Sequence, residues 1–198
     1  MRQEVEKNLI DQSRAGDADA FSEIYSLLKD SIYGFAYRMT NEQPIAEEIT
    51  QEVFIFFIEN PDKYDSKQGR LFSFLCGVAR NKALNHLKKS GTRLEANSLD
   101  EERIESLAGG NGNSPVNNVL DQEFSEKIEE CVAQLSPFQK EVLILRELED
   151  LSYEEIARIT DTSVGVIKGR LHRARQTLAK ILAPYIEGKE VLYEVHRS

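Results

Sequence analysis

Residues 151–182, LSYEEIARITDTSVGVIKGRLHRARQTLAKIL, decide how this chain folds. Ser152, with Glu155 three residues on, forms a capping box, so a helix opens at Ser152. Ile156, Ala157 and Ile159 give that helix an apolar face. The polar run Thr160-Asp161-Thr162 breaks it, and Ser163 caps the next helix through its hydroxyl. In the second helix Ile167, Leu171, Ala174, Leu178 and Ile181 recur at helical spacing and face the core. The opposite side holds Gly165, Val166, Gly169, His172, Arg173 and Gln176, with Lys168, Arg170 and Arg175 on the flanks. Pro184 is expected to stop this helix. Two capped helices joined by a short polar turn make a helix-turn-helix, a unit whose geometry presents the second helix to the DNA major groove.

The charge of that second helix supports the same reading. From Ser163 to Ile186 there are five basic residues (Lys168, Arg170, Arg173, Arg175, Lys180) and no acid. A solvated surface helix is the plain alternative, since Arg and Lys are good helix formers. Such a helix usually mixes both signs, however. Each glycine here costs roughly 1 kcal/mol against alanine, and a backbone that approaches DNA closely explains that cost. Arg170, Lys168 and Arg175 then grip phosphates, while Val166 and Arg173 face base edges.

The chain has 198 residues and a formal net charge of −9. Its length allows one domain or two small ones. It has no apolar run of transmembrane length, and its polar N-terminus does not read as a signal peptide, so a cytoplasmic protein without membrane insertion is expected. Cys76 and Cys131 lie in apolar helical patterns without CxxC spacing. They read as buried free thiols, a redox switch being the lesser alternative. The negative charge is unevenly placed: residues 1–90 carry −2, residues 91–130 carry −7, and residues 131–198 balance. A second basic island, Arg80, Lys82, Lys88, Lys89 and Arg93, contains no acid. DNA binding is therefore local rather than a property of the whole chain.

Apolar spacing is helical nearly throughout, and an all-α fold is expected. Asp17 caps a helix whose inner face includes Ala20, Phe21, Ile24, Leu27, Leu28 and Phe35. Pro44 starts another, with Ile45, Ile49, Val53, Phe56 and Phe57 inward, ending near Asn60-Pro61. A third runs from about Leu71 to Lys89. Residues 90–118 lose the pattern, and Gly109 to Pro115 have the composition of a flexible linker. Periodicity returns with Leu120, Phe124, Ile128, Cys131 and Leu135. Ser136-Pro137-Phe138-Gln139 then caps a helix with Phe138, Val142, Leu145 and Leu148 inward. The boundaries read as a helical domain over 1–90, an acidic linker over 91–118, a four-helix domain over 119–184 and a loosely ordered tail over 185–198.

In the first domain, AEEITQEVFIFF sets Glu47, Glu48, Gln51 and Glu52 on the polar side of an amphipathic helix, which by spacing alone reads equally as an ordinary solvated face. The loop DKYDSKQGRLFSFL mixes aromatic and basic groups ahead of the basic helix GVARNKALNHLKKS. Basic groups beside aromatics suit single-stranded nucleic acid, whose unstacked bases can be stacked on or held in pockets. No cofactor, metal site or catalytic centre is expected: the three histidines are scattered and GGNG is not a phosphate loop.

Taken together, AEEITQEVF, YDSKQGRLFSFLCGVARNKALNHLKK and LSPFQKEVLILRELEDLSYEEIARITDTSVGVIKGRLHRARQTL resemble bacterial RNA polymerase sigma factors of the extracytoplasmic-function (ECF) type. In that family a region 2 bundle of three or four helices is joined by a linker to a region 4 helix-turn-helix domain. The resemblance implies that Glu47, Glu48, Gln51 and Glu52 face the coiled coil of the polymerase clamp. It implies that Tyr64, Asp65 and Asn81 form a pocket for a flipped base of the −10 element, with Arg80, Asn85, Lys88 and Lys89 holding the backbone nearby. Ser163, Val164, Val166, Lys168, Gly169, Arg170, Arg173 and Arg175 would meet the −35 duplex. The implied partners are core polymerase (clamp and flap), promoter DNA and an anti-sigma factor. The chain departs from the family at Phe74, commonly Trp, at Val166, often Thr, and at Gly169, commonly Ser. Val166 can touch a thymine methyl but cannot hydrogen-bond. A stand-alone helix-turn-helix regulator is the competing reading; it leaves the acidic helix, the aromatic loop and the second basic island unexplained.

Overall fold

The computed structural model describes residues 7–91, 128 and 130–195, the stretch 184–195 by its backbone alone. The linker expected over 91–118 lies outside the described residues except for Gly91, as do Leu120 and Phe124. The described residues are helical and contain no strand. They form α1 (Lys7–Arg14), α2 (Ala18–Thr40), α3 (Gln43–Glu59), a 3-10 turn (Pro61–Lys63), α4 (Leu71–Lys89), α5 (Pro137–Leu143) running into a π-helical turn (Ile144–Leu148), α6 (Tyr153–Thr160) and α7 (Val164–Val195).

Local chemistry sets most of the ends. Asp17 caps α2, its carboxylate accepting the N–H groups of Asp19 (2.9 Å) and Ala20 (3.1 Å). Asn41, with φ 59°, turns the chain out of α2 in the left-handed conformation that asparagine tolerates better than most residues. Pro44 sits in the first turn of α3, where its missing N–H loses no bond. α2, α3 and α4 pack as a bundle around Ile32, Phe35, Met39, Val53, Phe57 and Leu75, all essentially buried. Cys76 and Cys131 are both buried.

Three expectations are corrected. Ser136 stands before α5 with Pro137 at the first helical position, but its side chain makes no cap hydrogen bond. Leu148 is not inward: it is 47% exposed, and Glu149 is the buried neighbour at 3%. The π turn explains this, since its extra residue advances the face beyond Leu145 by one position. Pro184 does not stop the last helix, which runs on to Val195 through the stretch expected to be a loose tail. A proline within a helix removes one hydrogen bond and crowds the carbonyl four residues back, a penalty of about 3 kcal/mol. Neighbouring turns can carry that penalty in a helix of 32 residues.

The two halves are not separate in this arrangement. Their buried side chains form one continuous core, with α4 lying against α6 and α2 against α5.

Candidate nucleic-acid interface

The helix-turn-helix is built as its caps dictate. The Ser152 hydroxyl accepts the Glu155 N–H (3.2 Å), and the Glu155 carboxylate accepts the Ser152 N–H (3.0 Å). Asp161, at φ 52°, makes the left-handed turn after α6. Ser163 then accepts the Val166 N–H (3.3 Å) and opens α7. Ile167, Leu171 and Ala174 are buried, which fixes the rotation of α7. Lys168, His172, Arg175 and Gln176 are consequently exposed, with Val164, Gly165, Val166, Gly169 and Arg173 half-buried beside them. A Cβ on Gly169 would meet only the Arg173 guanidinium, at an ordinary 3.9 Å, so packing within the chain does not demand a glycine there. Arg170 alone of the expected set turns inward, over the Phe138 ring (4.7 Å) and onto Glu141.

α4 presents a second face. Asn81, Asn85, Lys88 and Lys89 are exposed at helical spacing, while His86 contacts Glu42 (3.0 Å). Arg80, expected beside them, is instead drawn to Glu141 (2.7 Å), and its Nη1 donates to Asn81 Oδ1 (3.2 Å). In the preceding loop Tyr64 is buried. Its ring packs on Phe74, its hydroxyl donates to the Gly69 carbonyl (3.1 Å), and Arg14 donates to its carbonyl. Tyr64 therefore supports the loop here rather than offering a free ring for a base to stack on. Asp65 is exposed, and the Lys67 N–H holds its carboxyl below the usual range against desolvation, aided by the Gln68 side chain and the charges of Lys67 and Arg14.

α3 provides a third face of different chemistry. Glu47, Glu48 and Gln51 are exposed, and Glu52 pairs with Lys82 of α4 (2.7 Å). Ile55 and Ile58 continue this face at 50% and 55% exposure. The sequence reading missed both. Their signal was available: they stand three and six residues past Glu52, off the buried stripe of Val53 and Phe57. An acidic face bordered by exposed isoleucines suits a basic protein surface with an apolar centre.

The sequence reading also missed the contacts between halves. Glu155, read as a cap, accepts from Arg70 Nε (3.0 Å) and from the Ser73 hydroxyl (3.1 Å) of α4. Burial pushes its carboxyl up, but the bonds from Ser152 and Arg70 prevail and hold it below the usual range. Glu141 has no exposed surface; burial pushes its carboxyl up against the opposing pull of Arg80 and Arg170.

Residues 24–93 match sigma-70 region 2, and residues 125–178 match sigma-70, region 4. The chain is 33% identical over 180 residues to the ECF RNA polymerase sigma factor SigW of Bacillus subtilis, covering 89% of this chain and 96% of that one. It is 33% identical over 178 residues to the ECF RNA polymerase sigma factor BldN of Streptomyces coelicolor, covering 88% of this chain but 64% of BldN, so it spans less than two thirds of that relative. Its fold resembles that of the sigma factor RpoE in complex with the anti-sigma factor NepR from Bartonella quintana. There the TM-score is 0.62 at 24% identity, covering 82% of this chain and 96% of that one.

Proposed function

Because this chain belongs to the sigma-70 family, as an RNA polymerase sigma factor of the extracytoplasmic-function type, we propose that it is a two-point promoter clamp. It is not an enzyme; it directs where polymerase begins. The observation that carries the clamp reading is the outer face of α7 between Val164 and Ile186, basic and without an acid in that stretch, oriented by a helix-turn-helix whose Ile167, Leu171 and Ala174 are buried.

In this reading residues 119–184 dock on the −35 duplex. Lys168, Arg170 and Arg175 hold phosphates, while Ser163, Val164, Val166, Gly169 and Arg173 approach the groove. Residues 1–90 bind the polymerase clamp through Glu47, Glu48, Gln51 and Glu52, with Ile55 and Ile58 filling the contact. Asp65, Asn81, Asn85, Lys88 and Lys89 meet the opened −10 strand, Tyr64 supporting their loop and Arg80 joining them when released. The acidic linker spans polymerase channels built for nucleic acid. Unstacking a base costs a few kcal/mol, so capture of the extruded base biases promoter DNA toward the open form. With its net charge of −9 the free chain binds DNA weakly, and polymerase supplies the alignment. The site of action is the cytoplasm, and an anti-sigma partner of the kind in the RpoE complex would control it.

Transcription start sites mapped on genomic DNA with purified chain and bacterial core polymerase test this. Specific starts sharing −10 and −35 elements are expected; unspecific initiation with every core enzyme would overturn it. Asn81→Ala should impair opening more than duplex docking, and a pre-melted template should restore transcription.

A further inference from the structure

Two arginines assigned above to DNA meet on one carboxylate at the junction of the halves. Arg80 of α4 donates to Glu141 through Nε (2.7 Å) and Nη2 (3.4 Å), and Arg170 of α7 donates to it through Nη1 (3.2 Å). Their side chains keep 12% and 16% exposure, and Glu141 keeps none. A carboxylate taken out of water demands partners, and removing one of two leaves an under-compensated charge in a poorly polarisable place. Arg80 cannot hold a phosphate while it holds Glu141. The same arginine occupies Asn81, so closure engages a second −10 candidate (3.2 Å). Glu155 repeats the design nearby, taking Arg70, at the N-cap of α4, and Ser73 within α4.

The closed arrangement is incompatible with the proposed task. The names −10 and −35 place the two elements about 25 base pairs apart, roughly 85 Å along B-form DNA. Helices whose side chains share one carboxyl group cannot reach both. We propose that Glu141 is a self-masking latch: it closes the free chain by holding Arg80 and Arg170 together, and engagement of the transcription machinery requires this bond set to break. The masking rests on the sigma reading; the closure does not.

Two full-length variants test it. Glu141→Gln keeps the shape and removes the charge. Arg70→Glu sets like charges against Glu155 at the half-exposed edge of the same interface, without touching Glu141 or any DNA-facing residue. By small-angle scattering the native chain should have a radius of gyration near the ~16 Å of a compact chain of this length, and each variant about 20 Å, the value for two separated halves. Binding to a random-sequence duplex without polymerase should tighten about tenfold, with the salt slope steepening by roughly 2 as two further phosphates are engaged. Arg70→Glu should show this although it adds negative charge. Circular dichroism checks the fold; if Glu141→Gln loses helix, Arg70→Glu decides alone. Variants that keep native helix content and native radius overturn the latch, as does a native chain already at the larger radius. Swelling without tighter binding overturns the masking. A native chain that fails to direct initiation while its variants still swell counts against the sigma reading and leaves the latch standing.

Discussion

Glu155 does two jobs, and a mutant cycle separates them. Ser152→Ala removes the hydroxyl that caps the Glu155 N–H at 3.2 Å. Loss of such a cap costs about 1 kcal/mol, which for a chain of this length lowers Tm by about 2–4 °C. Glu155→Ala removes more. The Ser152 N–H loses its charged acceptor, a bond worth roughly 1.5–3 kcal/mol. The buried Ser73 hydroxyl loses its acceptor too, at about 1 kcal/mol. The ion pair to Arg70 contributes only about 0.2–1 kcal/mol, because the Arg70 side chain is 39% exposed. The sum is about 3–5 kcal/mol, at least roughly three times the effect of Ser152→Ala. Urea unfolding followed by circular dichroism gives each value. Combining Arg70→Ala with Glu155→Ala should reveal a coupling of about 0.5–1 kcal/mol, and combining Arg70→Ala with Ser152→Ala a smaller one. The reasoning is refuted if Glu155→Ala costs no more than Ser152→Ala, or if Arg70 and Glu155 behave additively.

Three other outcomes follow from the same geometry. The Glu155 carboxyl is held below its ordinary value of 4.5 in the folded chain, so its contribution is complete above that pH and lost as pH falls through the lowered value. The Tm gap between the native chain and Glu155→Gln should therefore be steady at neutral pH and narrow in acid; a gap that widens in acid would reverse the assigned direction. Arg173→Glu should abolish promoter-specific transcription while leaving polymerase binding intact in a pull-down, and loss of both would contradict separate roles for the halves. Leu145→Ala should cost about 2–5 kcal/mol as a cavity in the core, whereas Leu148→Ala should change stability by under about 1 kcal/mol. Equal effects would argue against the register set by the π turn.

Much of the fold was legible in the sequence because it is built from short-range chemistry. The capping box at Ser152 and Glu155, the Asp17 cap and the bounds of α4 are all decided by residues within a few positions of one another. The outward residues of α7 follow from the period of Ile167, Leu171 and Ala174. Where prediction failed, a non-local term intervened. Leu148 was displaced by a π turn that hydropathy spacing does not encode. Pro184 was tolerated inside a helix that its neighbours sustain. Ile55 and Ile58 stand off the buried stripe of Val53 and Phe57, which the spacing shows, but that no other element covers them is decided by packing.

By itself, then, the sequence determined the helices, the rotation of the recognition helix and the chemistry of its outer face, since caps and apolar periods act within a turn or two. Only tertiary structure decided that Arg80 and Arg170 share Glu141, and that Glu155 reaches Arg70 and Ser73. These partners lie between 29 and 85 residues apart. A charge's partner is chosen by whichever opposite charge packing brings within hydrogen-bond distance, and neither spacing nor composition carries that information.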